Sequence, residues 1–244
     1  MPLCSMVAMR GISATIAAGF VACALALPAT ASDKADCSDP VLLEQDPVRF
    51  VAACMRLADE GYKEALFNLG LVYDTGQGVA RDYVEAYGWY LPAAERGFVP
   101  AQFNLGNMFY YGWGVEQDYA EAARWHRAAA EGGHAWSQHN LAWMYLNGEG
   151  VPKNADQAIG WYRAAADQGF VLSQYDLGYL YAIGRGVEQD YVRAAMWFEL
   201  AAGQGDPRGR DSLDYMRARM SAQEQAEAQR LARAFMPIET SYQP

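Results

Sequence analysis

Positive charge is scarce in this 244-residue chain: 19 lysines and arginines stand against 29 acidic residues, a formal net charge of −10. The lysines are Lys34, Lys63 and Lys153 alone. Phosphate contacts need Lys and Arg, so the balance excludes a nucleic-acid binder and argues against an anionic membrane surface. Cysteine is sparse too. None of the four follows Cys54, and no CxxC pair occurs, which excludes a thiolate zinc site. The three histidines, His126, His134 and His139, have no carboxylate or thiol at metal-ligand spacing. Nucleophile motifs are missing as well. Ala31, Glu60 and Gly150 stand three residues before the lysines, so there is no Ser-x-x-Lys, and no G-x-S-x-G elbow occurs. No cofactor and no catalytic constellation follows from these residues. Carboxylates for glycosidase chemistry are plentiful, but those that recur do so as helix caps.

Long apolar runs are also lacking, with one exception. Arg10 precedes an apolar stretch over residues 12–27, and Ala29-Thr30-Ala31 supplies a small-x-small pattern. This layout predicts a secretory signal peptide over residues 1–31, cleaved near Ala31-Ser32. The stretch is short for a membrane span, which takes about 20 apolar residues. A lipoprotein attached through Cys23 is the lesser alternative. Loss of Arg10 would take the net charge from −10 to −11. The expectation is a periplasmic or secreted protein without a membrane span after cleavage. Export then predicts an oxidising compartment, where Cys37 and Cys54 pair as one disulfide. The closed loop is worth about 3 kcal/mol in the chain-entropy model.

What the chain has in abundance is self-similarity. Starts at Ala65, Ala101, Ser137 and Ser173 lie 36 residues apart and bring four copies into register without a gap: 65–100, 101–136, 137–172 and 173–208. Trp89, Trp125, Trp161 and Trp197 align, and so do Gly76/Gly78, Gly112/Gly114, Gly148/Gly150 and Gly184/Gly186. A period of this size predicts stacked helix pairs rather than a closed globule.

Residues 101–136 show the logic of one copy. Leu105, Met108 and Phe109 form a stripe at helical spacing, giving helix A over 101–110. Gly112 and Gly114 permit left-handed backbone and a tight reversal. Asp118 followed by Glu121 is a capping box that opens helix B, which carries Ala122, Trp125, Ala129 and Ala130 and stops at Gly133. The wide Trp of helix B is expected to face the small column Gly70, Gly106, Ala142 and Gly178 in helix A. Each histidine takes an aromatic's place in its column, His126 with Tyr90, Tyr162 and Phe198 for example, and reads as a flat packing residue.

The pattern A-x-x-x-L-G-x-x-Y/F-x-x-G-x-G-V-x-x-D-x-x-x-A-x-x-W-x-x-x-A-A-x-x-G resembles the Sel-one-like repeat, a relative of the tetratricopeptide repeat. Ala142 for Gly, Asn154 for Asp, and Ser137 and Ser173 for Ala are small departures. The resemblance implies an all-α fold: an α-solenoid (superhelix) of antiparallel helix pairs, four full repeats plus helical caps, with helix A lining a concave groove. Residues 32–64 read as an N-terminal segment and capping helix, and 209–244 as C-terminal capping helices and a tail. The segments 32–45 and 238–244 are expected to be loosely held.

The family likeness implies a noncatalytic scaffold or regulator for a protein or peptide partner, with envelope signalling among its roles. The alternative is a secreted β-lactamase-like or cell-wall-compound-binding protein, because some exported, cysteine-rich relatives are described as penicillin-binding or β-lactamase-like. They carry cysteine pairs within the repeats, which this chain lacks. End-to-end assembly is a third possibility, and oligomeric state is not set by the sequence. Related grooves hold peptide backbones with helix A asparagines, which singles out Asn68, Asn104, Asn140 and Asp176; hydrogen bonding to a neighbouring helix or turn is the alternative role. Columns that vary between copies add Asn107, Trp143, Tyr179, Tyr110, Tyr111 and Trp113, since exposed Trp and Tyr are common interface anchors. Packing between repeats is the competing role for these aromatics.

Overall fold

A computed structural model describes residues 28–238. Among them are thirteen helices and no strand. The fold is an all-α solenoid of consecutive helix pairs. The predicted leader falls largely on residues 1–27, Cys23 included, and the tail on 239–244; both lie outside the described residues. No helix among the described residues is long and apolar enough to cross a membrane. The chain divides into two compact units, Met1–Trp89 and Tyr90–Pro244.

The N-terminal unit holds α1 (Ala31–Ser38), α2 (Pro40–Gln45), α3 (Pro47–Asp59), α4 (Lys63–Thr75) and the first residues of α5 (Tyr83–Glu95). Its short helices form because each has a strong start. Thr30, which cleavage at Ala31-Ser32 would remove, caps α1 reciprocally with Asp33, while Asp39 and Asp46 cap α2 and α3 ahead of Pro40 and Pro47. Proline fits the first helical turn, where its missing N–H costs nothing. Cys37, Leu43, Phe50, Cys54, Leu57, Leu69 and Val72 form the core. Cys37 and Cys54 are disulfide-bonded, with Cα atoms 4.9 Å apart.

The expectation that 32–45 is loosely held is therefore overturned. The segment is helical, tied by the disulfide, and closed by an ion pair between Arg56 and the buried Asp33. Arg49 makes a second pair with Asp36 at 2.8 Å. A segment with few apolar residues needs such fastenings, because its own burial cannot offset the entropy of ordering it.

The second unit continues α5 and adds α6 (Val99–Tyr111), α7 (Tyr119–Glu131), α8 (Ala135–Asn147), α9 (Ala155–Asp167), α10 (Val171–Ile183), α11 (Tyr191–Gly203), α12 (Pro207–Arg217) and α13 (Ala222–Ala234). Here α6, α8 and α10 are the A helices, and α7, α9 and α11 the B helices. Asp118, Asn154 and Asp190 cap the B helices as expected. The box at Asp118 is only half made, because the Glu121 carboxylate turns outward to Arg124. Ser221 and Glu224 form the full box at α13. The tail is held at its first residue: the Ile238 N–H donates to the Asp167 carbonyl at 2.7 Å, contrary to the looseness expected there.

The glycine pairs do more than reverse the chain. The first of each ends helix A in left-handed conformation, as at Gly148 with φ 81°. At the second, as Gly150 and Gly186 show, the chain of one repeat touches the repeat before it. A Cβ on Gly150 would stand 1.9 Å from the Tyr119 carbonyl oxygen at the start of α7, and Gly150 has φ +66°. Only glycine meets both conditions.

Packing between paired helices differs from the expected Trp-on-Gly match. A Cβ on Gly106 would meet the His126 ring at 2.7 Å, and one on Gly178 would meet the Phe198 ring at 2.7 Å. The small column thus receives the residue after each Trp. The tryptophans lie a helical step (about 100°) around the axis. Trp161 packs against both neighbouring clusters, and Trp197 meets Phe235 edge-on at 5.6 Å.

A polar ladder runs through this apolar stack. The Nε2 atoms of Gln102, Gln138 and Gln174 donate to the Ala94, Ala130 and Ala166 carbonyls at 3.1–3.2 Å. Gln168 and Gln204 then donate to the side-chain oxygens of Gln138 and Gln174 at 2.7 and 2.8 Å. Each amide satisfies a carbonyl near the end of helix B, where intrahelical donors run out. Buried polar groups paired in this way fix one register of stacking.

Candidate peptide-binding surface

The second unit exposes several large aromatics on its A helices and turns. Tyr111, Trp113, Trp143 and Tyr179 are each 41–56% exposed. Tyr111 stacks on Trp113 with ring centroids 4.6 Å apart, and Tyr110 meets Tyr111 edge-on at 5.0 Å and Tyr119 at 5.2 Å. The Tyr110 hydroxyl donates to Glu149 at 2.8 Å, with Trp143 beside it. Partial burial and the Glu149 carboxylate push this phenol up to about 12. Five of the predicted residues, Tyr110, Tyr111, Trp113, Trp143 and Tyr179, thus lie on three consecutive repeats.

A cleft of about 220 Å³ opens between α8 and α10. Trp143, Tyr175 and Tyr179 line it, with Leu146, Tyr162, Leu180, Asp176 and Arg185. Register explains the convergence: Trp143 and Tyr179 are the same column one repeat apart, and the Gly184 turn brings Arg185 back beside the preceding repeat. The Arg185 guanidinium lies 3.4 Å from the Leu146 carbonyl.

Asp176 takes the place held by asparagine in the other three copies. Its side chain is 29% exposed and accepts no hydrogen bond among the described residues. Burial pushes its carboxyl up to about 6, against the opposing pull of Arg208. His139 stands 3.8 Å away with its Nδ1 on the Ser173 hydroxyl at 3.0 Å, and burial lowers that imidazole to about 4. It is neutral near pH 7, so it does not offset the carboxylate charge.

The other predicted residues divide into two kinds. Asn104, Asn107 and Asn140 are half-buried, and their side-chain amides make no hydrogen bond among the described residues. Asn68, in the N-terminal unit, is already engaged: its Nδ2 donates to the Cys37 carbonyl at 2.7 Å. The chain's own N-terminal arm thus supplies the backbone carbonyl that Asn68 binds.

Reasoning from sequence missed Tyr162, Tyr175 and Leu180 as cleft residues, whereas Leu146 and Arg185 stand in the varying columns of Tyr110 and Trp113. Tyr162 and Tyr175 occupy columns that read as packing, and nothing in the linear pattern separates them from their buried equivalents. The histidines pack as expected, with His126 1% exposed. His134 does something further, since its Nδ1 accepts from the Ser137 N–H at 3.2 Å and caps α8. No group of three or more His, Cys, Asp or Glu among the described residues is placed to hold a metal ion.

The Sel1 repeat model matches residues 63–98, 99–134, 137–170 and 171–206. A protective antigen present in uropathogenic Escherichia coli strains, described as displaying an SLR fold, is 33% identical, with a TM-score of 0.74. The match covers 83% of this chain but 45% of the antigen, so this chain spans less than half of that relative. A Sel1 repeat protein from Oxalobacter formigenes is 31% identical over 80% of this chain and 83% of its own, with a TM-score of 0.67. No curated protein matches.

Proposed function

We propose, from the premise that this chain belongs to the Sel1 repeat family, that it is an exported, noncatalytic scaffold or regulator. It holds a peptide segment or protein surface against the A helices α6, α8 and α10. The Sel1-repeat fold commonly mediates protein–protein interaction, and its scaffolds are generally noncatalytic. The observation that carries the reading is Asn68. Its amide grips a backbone carbonyl, while Asn104 and Asn140, at the same place in the next two copies, have unspent amides. An extended segment offers carbonyls at intervals of about 3.3 Å along the chain, and the aromatics beside the column supply apolar anchors.

Export rests on the leader pattern in residues 1–31 together with the Cys37–Cys54 disulfide, a bond that persists in oxidising compartments. Envelope signalling fits an exported regulator and rests on family likeness. Crosslinking the mature protein in its native envelope, followed by mass spectrometry, tests the reading. One envelope protein should be captured by the wild type and lost in a folded Trp143→Ala/Tyr179→Ala variant. Equal capture by both forms would remove the A-helix surface from the account.

A further inference from the structure

We propose that the cleft between α8 and α10 receives one basic side chain, Lys or Arg, of the bound segment, with its cationic head against Asp176 and its stem between Trp143, Tyr175 and Tyr179. This rests on the peptide-binding reading above and names the partner's chemistry at one position. Three observations carry it. Trp143, Tyr175 and Tyr179 line the cleft, and aromatic rings attract cations through the ring quadrupole. The carboxylate lies among them, largely buried and without a hydrogen-bond donor. The volume of about 220 Å³ suits one long side chain rather than a folded element.

The charges around Asp176 leave this role open. Arg208, from α12, lies near, but its guanidinium is forked onto Asp206 at 3.1 and 2.7 Å and covers the Tyr175 ring at 4.3 Å. Its charge is largely met by that partner. His139 on α8 is neutral near pH 7. Tyr162, on α9, is a buried phenol whose own ionisation burial and Asp176 push far up, so it stays neutral. Arg185 occupies the Leu146 end of the cleft. It repels a cation there and so directs the incoming head to Asp176. A half-buried carboxylate that accepts no hydrogen bond is a costly arrangement, and a cation that enters relieves the cost. Because Asp176 titrates near 6, uptake of a cation favours its ionised form, and binding should strengthen as pH rises through that value.

The test is selection of random peptides displayed on phage against the mature protein at pH 7.5, followed by affinity measurements on synthetic copies. The selected sequences should share one Lys or Arg. Replacing it with norleucine should weaken binding about tenfold, the 1.4 kcal/mol within reach of a desolvated cation–π and charge contact. Asp176→Asn restores the residue of the other copies, so it should fold, and it should abolish the preference for the basic peptide over its norleucine form. Lowering the pH to 5 should abolish that preference in the wild type as well. Selected peptides that bind through Asn104 and Asn140 but show no basic preference would overturn this inference and leave the peptide-binding reading standing. Failure to select any peptide would overturn that reading, and the inference with it.

Discussion

The N-terminal unit is closed by a disulfide, a buried ion pair and proline-started helices, whereas the repeat unit is closed by buried glutamines, neutral histidines and glycines that admit a neighbouring backbone. The contrast follows from what each has to work with. The N-terminal unit orders two short polar helices that no periodic neighbour completes, so covalent and ionic fastening replaces apolar burial. The repeat unit has neighbours of the same design, and one kind of solution recurs from repeat to repeat. The same contrast separates two fates of one column. In the N-terminal unit Asn68 is spent on the chain's own arm, and in the repeat unit Asn104 and Asn140 are left over.

Acid should divide the two units most strongly. His126, His134 and His139 are all in the repeat unit, and burial lowers them to about 3, 4 and 4. Their unfolded forms titrate near 6.5, so the unfolded chain takes up protons first. Stability is full above that value and falls as pH drops toward 4, by about 2 kcal/mol per histidine at pH 5. Asp176 opposes this in part, since protonation through about 6 relieves its burial. The N-terminal unit contains no histidine among its described residues, and Asp33, held well below the carboxylate range by Arg56 and Thr30, keeps its contribution until far lower pH. Hydrogen exchange at pH 7 and pH 5, corrected for intrinsic rates, should show loss of protection in α6 to α11 but not in α1 to α4.

Gly150→Ala should cost about 2–5 kcal/mol, combining overpacking against the Tyr119 carbonyl with a left-handed backbone. Urea denaturation followed by tryptophan fluorescence reads it, and a change under 1 kcal/mol would break the stacking argument. Reduction of the disulfide, or Cys37→Ala/Cys54→Ala, should cost about 3 kcal/mol and act on the N-terminal unit alone. Exchange measured with and without reductant separates that outcome from a uniform loss. The smallest effect is a gain. Gly160→Ala lies mid-helix in α9 with nothing within 4 Å of the added carbon, so it should stabilise by about 0.5–1 kcal/mol. A loss there would mean that this helix face is covered by something else.

Much of the fold was legible because it repeats. Four copies in register located the helix pairs, the cap residues Asp118, Asn154 and Asp190, and the Gly112 and Gly148 helix ends, since caps and left-handed glycines act within a few residues. The Cys37–Cys54 bond was legible by counting. What escaped depends on which way a side chain points. The choice between Trp125 and His126 as the residue over Gly106 turns on one helical step, and the pattern marks both as large. The glutamine ladder went unseen because Leu66 breaks the column in the first copy and a glutamine reads as surface. The N-terminal arm read as loose because its anchors, Asp33 to Arg56 and Asn68 to Cys37, span 23 and 31 residues. Of the candidate surface, Trp143 and Tyr179 were marked by variation between copies and Asp176 by its place in the asparagine column, whereas Tyr162 and Tyr175 entered the cleft from columns that elsewhere only pack.

The central claim is that the asparagine column is structural in one unit and vacant for a partner in the other. The most direct test pairs thermal melting with envelope capture for Asn104→Ala/Asn140→Ala, beside Asn68→Ala. The account expects the double variant to melt like the wild type and lose its captured partner, and Asn68→Ala to melt lower through loss of the Cys37 contact. A double variant that captures its partner undiminished, or that unfolds as readily as Asn68→Ala, would contradict it.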